Sequence, residues 1–296
     1  MGTTATTGNS GELAGWQGSP TQLLRVGPEF DLARFDRAAT PGWSAGKTAA
    51  KAHMKARGKD LSDLQERLFA DGKSGGSRSV LLLLQGMDTA GKGGIVRHVI
   101  GMVDPQGVAL ASFGVPTPVE RAHHHLWRIE RKLPVAGKIG VFDRSHYEQV
   151  LVVKVDELEP PDVNATRYAE LTGFDQRVVA SGTTMIKVAL LVSHAEQGQR
   201  LAQRLQRPDK WWKYNPGDID VRQRWDAYQD AYAQMLARTS TPQAPWFAIP
   251  ADNKWYARLA ITELLFDALS GLQLGWPPAD FDVDVEKRRL AQTARS

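Results

Sequence analysis

LLLLQGMDTAGKGG, residues 81–94, decides the fold. The apolar run from Val80 to Leu84 leads directly into GxxxxGK, Gly86 to Lys92, and IVRHVIGMV behind it reads as a helix. Glycines let successive backbone amides curl around phosphate oxygens. The start of the following helix adds partial positive charge, and Lys92 reaches toward a phosphoryl group in transfer. A tight strand-to-helix turn would explain the glycines but not the lysine at that spacing. The loop, comprising Gly86, Met87, Asp88, Thr89, Ala90, Gly91, Lys92, Gly93 and Gly94, is therefore expected to bind a phosphorylated compound.

Working outward, four more short apolar runs follow, at Val108 to Phe113, Ile139 to Phe142, Val188 to Val192 and Trp246 to Ile249. Each is nearly all apolar rather than alternating, as in strands covered on both faces, and helical segments between them imply a parallel sheet. The expected class is α/β with about five strands. Leu61, Leu64, Leu68 and Phe69 predict an amphipathic helix over 60–70, after the basic stretch Lys47, Lys51, Lys55, Arg57 and Lys59. Residues 71–78 read as a Gly and Ser loop. The division expected is a disordered tail over 1–20, a helical extension over 21–78, a phosphate-binding domain over 79–275 with a lid near 196–220, and a C-terminal tail over 276–296.

The chain has 296 residues, 42% hydrophobic and 24% charged, which is the balance of a globular protein with one main domain. It has no cysteine, so disulfides, thiolate metal sites and a cysteine nucleophile are excluded. The first 20 residues lack the basic start and apolar run of a secretory signal, and no stretch approaches the ~20 apolar residues that span a bilayer. A cytoplasmic protein without a membrane partner is expected. A net charge of +4 and a pI near 9.2 favour polyanionic partners. That excess is local: Arg200, Arg204, Arg207, Lys210 and Lys213 face a single acid, Asp209, which gives +4 over residues 200–213.

Gly93 stands where Ser or Thr would ligate magnesium in the usual loop, so another group must hold the metal. Asp88 is the candidate, because a carboxylate in an anion cradle makes sense with a divalent cation between them. In IGVFDRSHYE, residues 139–148, Asp143 closes a strand and is followed by Arg144. At the C-terminal edge of a parallel sheet Asp143 would face the same crevice and share the ion, while Arg144 would neutralise charge building on the phosphoryl group. The basic segment before Trp211, Trp212 and Tyr214 suits a lid that closes over phosphates and excludes water. His123, His124 and His125 invite a metal reading, yet neighbours on a helix point about 100° apart and should not converge on one ion.

LLLLQGMDTAGKGG, FGVPTPVERAHHHLWR from 113, FDRSHYE from 142, RPDKWWKYNPGDID from 207 and IPADNKWYARL from 249 together resemble the family-2 polyphosphate kinases, in order, over about residues 28–272. The resemblance implies a thymidylate-kinase-like P-loop NTPase fold of three layers with a helical lid. It implies Mg2+-dependent, reversible transfer of the terminal phosphate of inorganic polyphosphate to a nucleotide (AMP, ADP or their guanine counterparts, with ATP as a product), Mn2+ serving as an alternative ion. Asp88 and Asp143 would then be the essential carboxylates, Lys92 and Arg144 the phosphate clamps, Arg200, Arg204 and Lys210 the lid contacts, and Arg128 and Glu148 the nucleotide contacts. Glu148 falls where members that accept nucleoside monophosphates tend to carry glutamate, which favours AMP as well as ADP. A homodimer or homotetramer is also implied. Gly114 and Val115 depart from the pattern, since many relatives place a lysine there. Two other readings remain: an ATP-dependent nucleotide kinase on the same loop, and a polyanion-binding module whose basic and aromatic residues serve nucleic acid.

Overall fold

The computed structural model describes residues 15–293. Strands β1 (Ser79–Gln85), β2 (Val108–Ser112), β3 (Ile139–Asp143), β4 (Thr183–Leu191) and β5 (Trp246–Pro250) form a parallel sheet in the order β2-β3-β1-β4-β5. Before the sheet come α1 (Pro20–Leu23) and α2 (Gly46–Lys73). Between β1 and β4 lie α3 (Lys92–His98), α4 (Pro118–Arg121), α5 (Trp127–Glu130), α6 (Val152–Val155) and α7 (Pro161–Ala180). After β4 come α8 (His194–Leu205), α9 (Gly217–Gln223), α10 (Trp225–Thr239), α11 (Lys254–Gly271) and α12 (Val283–Ala291). The chain leaves β1 for β2 and β3 on one side and returns to β4 and β5 on the other. The order reverses at β1, which is where such sheets open a crevice.

Period-two geometry divides the core. Val80, Leu82 and Leu84 pack with Leu61 and Leu68 of α2 and Leu259 and Leu264 of α11, whereas Leu81 and Leu83 pack with Leu171 and Phe174 of α7 and Met235 and Leu236 of α10. All five residues of Val80–Leu84 are fully buried, each leucine contributing about 1.5–3 kcal/mol of transfer free energy. The result is the expected three-layer α/β arrangement.

Several boundaries differ from the sequence expectation. The helix expected over 60–70 begins at Gly46, and the basic stretch is part of it. Its buried stripe of Ala50, Arg57, Leu61, Gln65 and Leu68 includes a charge, which hid it. Glu263 on α11 answers that charge, with Oε1 and Oε2 3.1 and 3.2 Å from Arg57 Nε and Nη2, and His53 Nε2 2.8 Å from Oε1. The stretch 21–78 thus shares its core with the sheet. Trp16, inside the stretch expected to be disordered, is buried edge-on to Trp43 with ring centroids 5.5 Å apart. Residues 1–14 of that stretch lie outside the described residues. Within the expected tail, 283–291 is helical, and residues 294–296 are again outside the described part. No described helix is long and apolar enough to cross a membrane.

Candidate active site

Strand register brings three loops together. Leu84 and Ser112 both lie opposite Asp143, Arg144 N donates to Leu84 O at 3.0 Å, and Phe113 N donates to Asp143 O at 3.0 Å. The loop after β1 therefore opens beside the end of β3. Within it Gly86 has no room for a side chain, since a Cβ would sit 2.9 Å from Leu190 O, and Gly91 has φ +123°. Thr89 holds φ +66° without being glycine, a conformation that costs energy and persists where packing imposes it.

Lys92 Nζ folds back on the loop, 2.5 Å from Gly86 O and 3.5 Å from Met87 O. Burial lowers its pKa and nearby Arg144 lowers it further, against the carboxylates of Asp88, Asp143 and Glu148. Arg144 sits between two carboxylates, with Nη2 3.0 Å from Asp88 Oδ1 and Nη1 3.4 Å from Glu148 Oε2. Burial alone would depress Arg144, but Glu148 and Asp88 outweigh it and raise its pKa. Glu148 also accepts from Gln85 Nε2 at 3.0 Å.

Three cavities meet here. The first, about 570 Å³, is lined by Arg200, Arg204, Arg207, Lys210, Lys213, Lys254 and Arg258 and, among the described residues, by no acid. The second, about 400 Å³, is lined by Asp88, Glu148, Asp218, Arg144 and Arg224 together with Val115, Leu151, Val152, Val221, Tyr228 and Tyr232. Between them a cavity of about 540 Å³ contains Asp88, Lys92, Asp143 and Arg144, sharing Thr89 and Arg204 with the first and Asp218 with the second. Burial, then the neighbouring Asp88, raises the pKa of Asp218, whose carboxylate is 3.4 Å from Arg204 Nη1.

Most of the residues singled out in the sequence converge, and two have other work. Arg200 lies in the wall of the basic cavity but is buried, with its guanidinium spent on backbone carbonyls. Nη1 donates to Thr89 O and Ala90 O at 2.9 and 3.2 Å, and Nη2 to Ala251 O and Asp252 O at 2.6 and 2.9 Å. It braces the phosphate loop against the end of β5 instead of reaching out from a lid. Arg128 is absent from the cavity walls, donating to Gly114 O at 2.9 Å and standing over the Phe113 ring. Lys210 does line the basic cavity, paired with Asp209 at 2.7 Å. Hydrogen bonds from Lys210 and Arg207 pull Asp209 down to about 2.

Sequence reading missed Lys254 and Arg258 in the basic cavity and Asp218, Tyr228 and Tyr232 in the second. The signal for Lys254 and Arg258 was their spacing of four on a helix, which puts two cations on one face.

The family model described as "Polyphosphate kinase 2 (PPK2)" matches residues 44–274. The chain is 42% identical over 255 residues to the AMP/ADP-polyphosphate phosphotransferase of Meiothermus ruber, covering 86% of this chain and 94% of that protein. It is 36% identical over 271 residues to the ADP-polyphosphate phosphotransferase of Rhodopseudomonas palustris, covering 87% and 92%. The crystal structure of polyphosphate kinase 2 from Arthrobacter aurescens superposes with a TM-score of 0.92 at 49% identity, covering 94% of this chain and 98% of that one. The matched span runs from just before α2 to just beyond α11, taking in every strand and the whole crevice, and the chain belongs to the polyphosphate kinase 2 family.

Proposed function

We propose that this enzyme transfers the terminal phosphate of inorganic polyphosphate, held in the basic cavity, to AMP or ADP held in the second cavity, and runs the reverse reaction at the same site. The chain is a polyphosphate kinase; the acceptor, the ion and the residue roles are the proposal. The observation that carries it is the partition of charge. One cavity has seven basic side chains and no acid, which suits a polyanion without a base, whereas the other joins acids, two arginines and a wall of aliphatic and tyrosine side chains, which suits a nucleotide.

In the transfer, an acceptor phosphate oxygen attacks the terminal phosphorus of the chain. One P–O bond forms, the bridging P–O bond breaks, and the shortened polyphosphate leaves with that oxygen. The protein's work is positioning and charge neutralisation. Lys92 and Arg144 hold the phosphoryl oxygens, Arg204 and Lys210 hold the chain, the loop amides from Gly86 to Gly94 cradle the phosphates, and Glu148 sits at the acceptor end.

The loop also fits a hard divalent ion. Gly93 supplies no side-chain oxygen, while Asp88 and Asp143 both line the central cavity, and Mg2+ is commonly held by one or two carboxylates plus substrate phosphates. Mg2+, or Mn2+ in its place, would supply charge neutralisation between the two phosphate groups. A cytoplasmic homodimer or homotetramer belongs to the same reading, supported by the family resemblance.

The test is a product assay with Mg2+, polyphosphate and either AMP or ADP, in which the next higher nucleotide should form. Transfer from ATP to AMP at an equal rate without polyphosphate would make the protein an ATP-dependent kinase, and binding without turnover would leave only a polyanion module. Asp143→Asn should lower the rate by orders of magnitude with an unchanged melting temperature, and near-normal activity would remove Asp143 from the mechanism.

A further inference from the structure

Outside the crevice, two imidazoles and a carboxylate meet where the chain between α4 and α5 crosses α7. A helix through His123, His124 and His125 would have kept the rings apart. Instead α4 ends at Arg121 and α5 begins at Trp127, and the intervening turn swings His124 and His125 onto the same side with ring centroids 4.3 Å apart. His123 goes elsewhere, stacked on Trp127 at 4.1 Å. Glu170 Oε2 lies 2.7 Å from His125 Nε2 and 3.9 Å from His124 Nε2, and the ligand atoms of all three residues fall within 4.8 Å of one another.

We propose that His124, His125 and Glu170 form a binding site for a borderline transition metal ion of the Zn2+ class. Ligands about 2.0–2.2 Å from a tetrahedral zinc stand about 3.3–3.6 Å from each other, and the observed 2.7 and 3.9 Å straddle that separation. Small side-chain adjustments then suffice. Two imidazoles select zinc, nickel or copper over magnesium, which prefers oxygen. The cluster and the carboxylates of the phosphate loop would therefore take different ions. Water would complete the coordination, since His124 is 61% exposed while His125 is nearly covered.

Two features bound the affinity. Arg167 Nη1 lies 2.8 Å from the same Glu170 oxygen and competes for it. His125 Nδ1 has no partner among the described residues, so a ring that gives Nε2 to the metal carries its proton on an unpaired Nδ1. Lack of an outer partner costs about 10–100-fold in affinity, so the site should bind its ion that much more weakly than one whose histidines are buttressed. The consequence is structural. Glu170 is on α7, the helix whose Asp175 accepts hydrogen bonds from His146 and Tyr147 beside Arg144. A bound ion would clamp the turn to that helix.

The experiment uses tag-free, metal-stripped, full-length protein titrated with Zn2+ against a chromophoric chelator and with Co2+ by its visible absorption. Wild type is compared with the exposed-site variant His124→Ala and the shape-retaining variant His125→Phe. One ion per chain is expected, with affinity falling at least tenfold in each variant, a Zn2+-induced rise in melting temperature in wild type alone, and Mg2+-supported turnover unchanged in His124→Ala. Equal binding and equal thermal shift in wild type and both variants would overturn the site, as would no Co2+ band in wild type.

Discussion

Arg144 Nη2 lies 3.0 Å from Asp88 Oδ1, which joins the carboxylate of the phosphate loop to the first residue beyond β3. Arg144 also holds φ +65°, the left-handed region that favours glycine. The same residue thus carries a charge that the proposed transfer uses and a backbone shape its side chain resists. Losing a group aimed at developing charge costs about 10²–10³ in kcat, so Arg144→Ala and Arg144→Gly should both be that impaired. Their stabilities should differ. Relief of the left-handed penalty, less the added chain entropy of glycine, makes Arg144→Gly the more stable by about 1 kcal/mol. Chemical denaturation of the two variants measures it, and equal midpoints would mean the backbone there is unstrained.

Arg200 and Arg204 are four apart on α8, yet they do different things. Arg200 is spent on four backbone carbonyls, whereas Arg204 reaches Lys213 O and Asp218 and lines both the basic and the central cavity. Removing Arg200 leaves those carbonyls unpaired in a closed site, at about 1–3 kcal/mol or more. Arg200→Ala should therefore lower the melting temperature and weaken the use of both substrates. Arg204→Ala should leave stability nearly unchanged and raise KM for polyphosphate more than for nucleotide. Identical kinetic profiles for the two variants would refute the division.

Lys254 and Arg258 complete the basic cavity from α11. Burial lowers the pKa of Lys254, and Arg200 nearby lowers it further. A cation crowded by cations gains most from an arriving polyanion. At about 1.5–3 kcal/mol per charged hydrogen bond, Lys254→Ala should raise KM for polyphosphate roughly tenfold or more at low salt while sparing ADP. The difference should shrink in high salt, where exposed charge is screened. A steady-state titration at two ionic strengths decides it, and a salt-independent loss shared by both substrates would argue against a phosphate contact.

What could be read from the sequence was local. The phosphate loop declares itself because its glycines, lysine and preceding strand are contiguous, and Asp143 because a strand end fixes its direction. Arg200 was legible as basic and on a helix, but helical spacing says which residues share a face and not what that face meets. Arg57 broke the apolar stripe of α2, so half the helix escaped notice. Lys187 broke β4 in the same way: the strand starts at Thr183, not Val188, because the lysine is buried inside it. In each case the partner is more than 10 residues distant, and only the folded chain supplies it.

That buried lysine yields a prediction. Lys187 Nζ donates to Asp175 Oδ2 at 2.7 Å, to Tyr147 OH at 2.9 Å and to Thr239 O at 2.8 Å, all fully enclosed, while Asp175 also takes His146 Nε2 at 3.0 Å. Burial raises the Asp175 pKa, but Lys187 and His146 outweigh it and hold it below its usual value. Lys187→Met alone leaves the buried Asp175 charge without its cation and should cost about 3–5 kcal/mol, whereas Lys187→Met with Asp175→Leu should recover only part of that, because Tyr147 OH and His146 Nε2 then lose their acceptor. Because His146 and Tyr147 lie two and three residues after Arg144, the double variant should still have reduced kcat. Full activity would show that the network supports the fold without aiming the arginine.

Gln85 is wholly buried at the end of β1, donating from Nε2 to Glu148 Oε1 at 3.0 Å while its own Oε1 finds no partner among the described residues. An orphaned buried acceptor is a cost, so removing the amide loses less stability than one hydrogen bond usually carries. Its remaining effect is on Glu148, whose other partner among the described residues is Arg144 at 3.4 Å. If Glu148 helps receive a nucleoside monophosphate, a loosened carboxylate should weaken AMP more than ADP. Gln85→Leu should thus lower kcat/KM for AMP by roughly tenfold, the scale of one charged hydrogen bond, with a smaller loss for ADP and little change in melting temperature. Competition assays with both acceptors in one reaction measure the ratio directly, and an unchanged ratio would detach this pair of residues from acceptor choice.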